Sequence, residues 1–575
     1  MDDVRPAAPA AKRTGSLLAL ALLASTALST LPATAASTAP LVEVVVTSTG
    51  AGAAAAADAV RAAGGTVRDA LPLVGGVSAD LPEGAVLAPA FRVVPDYPIT
   101  LSGAKGVGQD REPTAVREAL GLGAAGTQGA GITVAVVDTG VAEHADLGER
   151  VEHVDVSGSS DGADHDPYGH GTFVAGVIAG DGTSSGGKYA GVAPGAKILD
   201  VRVTNAEGET DLGRVLLGLE AAREAGVDVV NLSLSSGSPL PYQLDPLAVA
   251  LTALWRDGVV VVVPTGNDGP SQGSVTSPGS DPTLLTVGAL DERLTADRSD
   301  DVVPSFSGRG PAPQDVAKPD LVAPGRSLVS LRAPGSVVDD ANPDASVNGV
   351  YFRGSGTSFA TAAVAGTAAV LQAQRPGIDS DEVKALLTGT AYDDAKGLRD
   401  ARDAGAGGLD VVKALATATP KDVPGADDAP PLGDVDQAAW RAFLQALMDG
   451  DRAAAVEAWG ALSPEAHKWA ANSWSAHKWG AHKWGANSWS AHKWAGADGT
   501  AEEWESRFWA AHKWAAHKWA SDEFVAHKWA AHKWADEEFV AHKWAAHKWA
   551  AHKWAAHKWA AHKWAAHTWA AHDWS

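Results

Sequence analysis

Five consecutive valines, Val259 to Val263, are the stretch that most constrains how this chain can fold. β-Branched residues on both sides of a strand leave neither side for water, so such a strand belongs inside a covered sheet. Apolar runs at 132–137, 197–203, 227–232 and 284–287 also read as strands. Between and after them, 212–225, 246–257, 357–374 and 380–388 carry helical patterning. This alternation predicts an α/β domain over 112–418, a parallel sheet with helices on both faces.

Open sheets of this kind build their sites at the carboxyl ends of strands. The run 132–137 ends in Asp138-Thr139-Gly140. Gly169-His170-Gly171-Thr172 opens a small-residue helix, and Gly354-Ser355-Gly356-Thr357-Ser358 feeds an Ala-rich one. A serine at a helix N-terminus lies beside N–H groups without intrahelical partners, which suits a developing oxyanion. Taken singly, Ser358 reads as a cap or turn residue, His170 as a core residue and Asp138 as a helix cap. Together, in Gly-rich frames and in the order Asp, His, Ser, they form a candidate triad for base-activated nucleophilic catalysis.

These segments resemble the signature blocks of the subtilisin-like serine proteases (subtilase family, peptidase S8). Asn231-Leu232-Ser233-Leu234, Thr265-Gly266-Asn267-Asp268-Gly269 and Lys318-Pro319-Asp320-Leu321-Val322-Ala323-Pro324-Gly325 extend the resemblance, which covers 130–415. It implies a subtilisin-like fold and an endopeptidase acting on proteins or peptides. Ser358 is then the nucleophile, His170 the general base, Asp138 its orienter and Asn267 the side-chain oxyanion donor. Ser233, Leu234 and Ser235 are implied as the edge that pairs with substrate backbone, and Gly208 as part of the opposite wall. The chain departs from the family where Ser235-Ser236 replaces a frequent Gly-Gly, and where the Gly-rich 181–187 offers no assignable calcium ligands. The chemistry requires no cofactor; a structural calcium ion stays open, its ligands unassigned.

Residues 1–36 read as a secretory signal, which predicts a secreted, extracellular protein. Arg5, Lys12 and Arg13 precede the apolar run 17–28, and Ala33-Thr34-Ala35 offers a small-x-small cleavage site. Residues 40–100 read as strand, helix and three further strands. Placed between signal and protease, they resemble the family's inhibitor-type propeptide, a ferredoxin-like α+β unit of βαββαβ order. The chain's own propeptide would then be its inhibitor, with maturation between Asp96 and Arg117. Residues 419–435, Pro-rich and acidic, read as a linker, and 436–463 as a short helical segment.

The tail, 464–575, repeats five residues, mostly Ala-His-Lys-Trp-Ala. Every fifth position from Trp469 to Trp574 is Trp, except Gly499, Phe524 and Phe539. A period of five turns about 140° on a helix and alternates faces on a strand, so no single apolar face results. Three readings stand: a stacked structural repeat, adhesion to the cell envelope or polysaccharide through exposed Trp and Lys, and a His ladder for metal. Asn472-Ser473, Asp522-Glu523 and Glu537-Glu538 stand in the His-Lys slots and argue against the ladder.

A net charge of −23 argues against a nucleic-acid partner. The absence of cysteine excludes disulfides and thiolate chemistry. The chain therefore reads as a secreted serine endopeptidase. The alternative is an envelope-binding or adhesive protein whose protease domain only matures itself.

Overall fold

A computed structural model of the chain describes residues 40–101 and 114–425, apart from 313–315 and a few single loop positions. The signal segment, the helical segment 436–463 and the repeat tail lie outside the described residues, as does most of the linker.

The N-terminal unit comprises β1 (Leu41–Ser48), α1 (Gly52–Ala62), β2 (Thr66–Leu71), β3 (Gly76–Pro82) and β4 (Phe91–Pro95). Its sheet has the order β2-β3-β1-β4, with antiparallel neighbours. That is the order of a ferredoxin-like split βαβ unit. Ala56, Ala57 and Val60 of α1 pack on Val44, Val46, Val77 and Leu81. A second helix is absent among the described residues between β3 and β4. Pro82 and the positive φ of Gly84 open that connection, and neither favours a helix there. One further strand, β5 (Pro98–Leu101), leaves this sheet altogether.

The α/β domain begins with β6 (Thr114–Ala115) and α2 (Val116–Ala119), followed by β7 (Thr133–Asp138), β8 (Val151–Asp155), α3 (His170–Ala179) and β9 (Lys197–Arg202). Next come β10 (Thr210–Asp211), α4 (Leu212–Glu224), β11 (Val229–Leu232), β12 (Leu234–Ser236), α5 (Pro246–Arg256) and β13 (Val260–Pro264). β14 (Leu285–Leu290) and β15 (Leu321–Pro324) lead to β16 (Leu328–Leu331), α6 (Val337–Ala341), β17 (Ser346–Val347) and β18 (Tyr351–Gly354). The helices α7 (Thr357–Gln374) and α8 (Ser380–Thr390) follow. A seven-stranded sheet runs β15-β14-β13-β11-β7-β9-β8, every neighbouring pair parallel. The valines of β13 are fully buried, as their run requires. Strands β8 and β15, at the two edges of the sheet, were not among the expected elements; the charged sequence Val-Glu-His-Val-Asp of β8 suits an edge.

Helix α7 is buried at every position from Thr357 to Leu371, and it packs against β11, β13, β14, β15 and α3. A helix with no polar face belongs inside a core. Asp245 caps α5 by accepting from Leu247 N, and Pro246 stands at the first helical position. At the far end of α5, buried Trp255 donates its indole N–H to Asp381 of α8 at 2.8 Å. Replacing Trp255 by Ala opens a large cavity and leaves Asp381 without this donor. The expected loss is about 3–5 kcal/mol, read from denaturant unfolding of the full chain; a loss below about 1 kcal/mol would show that the two helices dock without it.

Candidate active site

Asp138 ends the central strand β7 and is fully buried. Its Oδ1 accepts from Thr139 N at 2.8 Å. His170, the first residue of α3, brings Nδ1 to 2.8 Å from Oδ1 and 3.0 Å from Oδ2. An ionised carboxylate can only accept, so Nδ1 carries the proton and the imidazole's other nitrogen, Nε2, is the basic one. This approach depends on glycine: a Cβ on Gly171 would collide with the carbonyl oxygen of Gly140 and touch the Asp138 side chain. Gly169, at φ 103°, turns the chain into the helix in a conformation that disfavours side chains.

A second buried carboxylate, Asp166, ties strand to helix. Oδ1 accepts from Thr139 Oγ1 at 2.8 Å and Gly169 N at 2.6 Å. Oδ2 accepts from Thr172 N at 2.8 Å and Thr172 Oγ1 at 2.7 Å. Thr139 Oγ1 in turn accepts from Gly171 N at 2.9 Å. The neighbours of Asp138 and His170 are thus held by one side chain. Burial pushes the Asp166 carboxyl above its usual range, against the pull of those donors.

Ser358 is the second residue of α7 and fully buried. The Phe359 ring lies 5.6 Å from the His170 ring and 4.2 Å from that of Phe173, which seats the first turn of α7 beside the start of α3. Ser233 donates to the Ser358 carbonyl at 3.3 Å, and Asn231 Nδ2 donates to Ser233 at 2.9 Å. Asn267 follows β13. Its Oδ1 accepts from Thr357 N at 3.0 Å and Thr357 Oγ1 at 3.1 Å. A backbone N–H can only donate, so the amide orientation is fixed and Nδ2 faces away from Thr357. Among the described residues, that Nδ2 is buried and has no hydrogen-bond partner. Asn267 thus brings a buried donor to Thr357, the residue before Ser358, and such a donor is able to meet a negative charge.

Beside these residues lies a three-stranded antiparallel sheet, β10-β5-β12. Leu101, Thr100 and Ile99 pair with Leu234, Ser235 and Ser236, while Ile99 and Pro98 pair with Thr210 and Asp211. The paired edge is therefore 234–236; Ser233 instead bridges to Ser358. Gly208 does not pair with β5 either. It turns the chain into β10 at φ 78°, where a side chain would strike the Tyr168 ring. Asp166 and Ser236 were not anticipated. Asp166 stands four residues before His170 in an Asp-Pro turn, a signal for a turn but not for this role.

The Gly-rich stretch 181–187 is held by Thr183 N to Asp181 within it and by Ser184 N to Asp146 outside it, both at 2.8 Å. Among the described residues, no group of three or more acidic or histidine side chains is gathered to hold a metal ion.

The pattern of the subtilase family (peptidase S8) matches residues 129–410. Over 266 residues the chain is 35% identical to subtilisin Savinase of Lederbergia lenta, covering 46% of this chain and 85% of that protein. It is 41% identical over 269 residues to the serine protease AprX of Bacillus subtilis, covering 45% of this chain and 61% of that one, less than two thirds of its length. Among solved structures it is similar to fervidolysin of Fervidobacterium pennivorans, a keratinolytic enzyme related to subtilisin. The TM-score is 0.53 at 25% identity, covering 66% of this chain and 62% of that one.

A third buried carboxylate, Asp200 on β9, accepts from Val141 N at 3.0 Å and meets His153 Nδ1 at 2.9 Å. Burial pushes it up to about 7, while its bond to His153 raises the imidazole as well. Both groups hold protons more tightly folded than unfolded, so their stabilisation is greatest in acid. It is lost as pH rises from about 4 through about 7 and beyond. Asp200→Asn removes the first titration and keeps an acceptor for Val141. The melting temperature of the wild type relative to Asp200→Asn should therefore fall between pH 5 and pH 8; a difference independent of pH would refute this linkage.

Proposed function

The chain belongs to the subtilase family, and from that premise we propose that it is a secreted serine endopeptidase, hydrolysing peptide bonds of proteins through an acyl-enzyme. One observation carries the reading. The chain's own β5 pairs on both edges with the α/β domain, and its Leu101 end lies nearest Ser233, whose hydroxyl contacts the Ser358 carbonyl. A groove that takes an extended segment as an added strand recognises backbone, which suits a peptidase.

Ser358 Oγ attacks the carbonyl carbon while His170 Nε2 takes its proton. Asp138 holds the tautomer and stabilises the imidazolium. The Nδ2 of Asn267 and the backbone N–H of Ser358 receive the oxyanion. Collapse expels the amine, which His170 protonates, and water, deprotonated by the same imidazole, then frees the acyl group. Residues 40–101 act as the inhibitory prosegment, held in the groove as a product-like strand. Maturation cuts within 102–113. Residues 1–36 direct export, and the repeat tail serves adhesion to the envelope, away from the chemistry.

Ser358→Ala should abolish hydrolysis of casein, a loss on the order of the million-fold known for the nucleophile of subtilisin itself. The same variant should remain full length in the prosegment region, whereas N-terminal sequencing of wild type should find a new start within 103–114. Near-normal activity of Ser358→Ala would refute the assignment. Asn267→Ala should lower kcat by about a hundred- to a thousandfold. Deleting 426–575 should leave kcat/KM unchanged and abolish retention on cell-envelope material; retention without the tail would reject the adhesive role.

A further inference from the structure

Strand β5 carries a side-chain pattern as well as a backbone. Alternate residues of a strand share a face, and here Ile99 is fully buried, Leu101 nearly so, and Pro98 exposed. Tyr97, two residues before Ile99, continues the inward face. Its hydroxyl donates to Asp245 Oδ1 at 2.6 Å, across 148 residues of sequence. The Ser236 and Ser238 side chains lie beside it. Its backbone carbonyl accepts from Leu212 N, at the start of α4, at 3.0 Å.

Asp245 is fully buried, and the enzyme domain orients it without help from Tyr97. Oδ1 accepts from Leu247 N at 3.0 Å, and Oδ2 accepts from Ser277 Oγ at 2.6 Å. The cap of α5 is complete with those bonds. The bond from Tyr97 is additional, and it comes from the segment that maturation would release. A rigid buried carboxylate facing such a segment is a recognition element, because a ligand lacking the hydroxyl leaves it short of a donor.

Building on the peptidase reading, we infer that Asp245, with Ser236, Ser238 and Ser277, forms a subsite for the phenolic hydroxyl of a substrate tyrosine. That tyrosine lies four residues N-terminal to the position of Leu101. The preferred substrates are extended segments of the pattern Tyr-x-Ile-x-Leu, with the bond to be cut in the stretch that follows the leucine. Backbone pairing along β12 and β10 accepts any extended chain; Asp245 selects among them.

The test uses mature enzyme obtained from the full chain and three peptides with the sequence of residues 95–106, carrying Tyr, Phe or Ala at position 97. Each competes against casein hydrolysis, so an apparent Ki is read whether or not the peptide is itself cut. Phe in place of Tyr should weaken competition by about tenfold, the effect of one hydrogen bond to a charged group, and Ala by more. In Asp245→Asn, whose amide oxygen keeps the acceptor for Leu247 and whose Nδ2 can donate to the Ser277 hydroxyl, the Tyr-to-Phe ratio should shrink toward one. Equal Ki values for Tyr and Phe in wild type, alongside normal casein hydrolysis, overturn the subsite and leave the peptidase reading intact. Absence of casein hydrolysis overturns the peptidase reading and the subsite with it. The peptide comparison needs no folded variant, so it stands even if Asp245→Asn fails to fold.

Discussion

Helix α7 is enclosed on all sides, and the position of Ser358 follows from that enclosure. Ala362, Ala363, Ala365, Gly366, Ala368 and Ala369 let strands and α3 approach its axis closely. A helix packed this tightly cannot tilt without opening voids around it. Its first turn is therefore fixed, and Thr357 and Ser358 occupy set positions. Asn267 is aligned to the same turn through Thr357, and the Phe359 ring is laid on that of Phe173. The placement of Ser358 becomes a property of the core rather than of a loop.

Around this helix the domain places carboxylates where water does not reach. Asp138, Asp166, Asp200 and Asp245 are all fully or almost fully buried. Each would be costly alone; Asp166 and Asp245 accept from backbone N–H groups and hydroxyls, and Asp138 and Asp200 each accept from a backbone N–H and lie beside a histidine. Asp166 fixes the relation of β7 to α3, and Asp200 holds the loop after Asp138. These bonds join elements far apart in sequence, so the site is held from several sides at once. A buried acceptor with fixed donors needs no rearrangement as charge develops nearby.

Much of this was legible in the sequence, for identifiable reasons. Continuous valine and isoleucine runs announce strands covered on both faces, and 357–374 announces a helix without a polar side. The Gly-rich frames of Asp138 and His170 reflect backbone approaches that leave no room for a Cβ, as Gly140, Gly169 and Gly171 illustrate. Asp245-Pro246 was readable as a helix start, but its second task depends on a tyrosine brought from far upstream by β5. Asp166 was equally hidden, because its four donors come from a turn and a helix that meet only after folding. The edge strand β8 was missed because its polar sequence gives no apolar run to notice. The resemblance also led to one helix too many in the N-terminal unit, where Pro82 and Gly84 break the pattern.

Strand β5 and β6 are joined by 102–113, and this covalent continuity affects how tightly the groove is filled. While the chain is whole, β5 competes with any other peptide as an intramolecular ligand, at an effective concentration on the order of millimolar. A cut in the joining stretch removes that advantage without altering a single contact in the groove. Thr114 and Ala115 stay paired with β16, and the Arg117 guanidinium stays bound to the carbonyls of Gly123, Ala124, Gly191 and Val192. A new end made there would be fastened on the side of the α/β domain, and the upstream segment would have only its own affinity to keep it in place. If the joining stretch is cut as proposed, dilution would act as the trigger: concentrated, the two parts would remain together, and spread into a larger volume, they would separate.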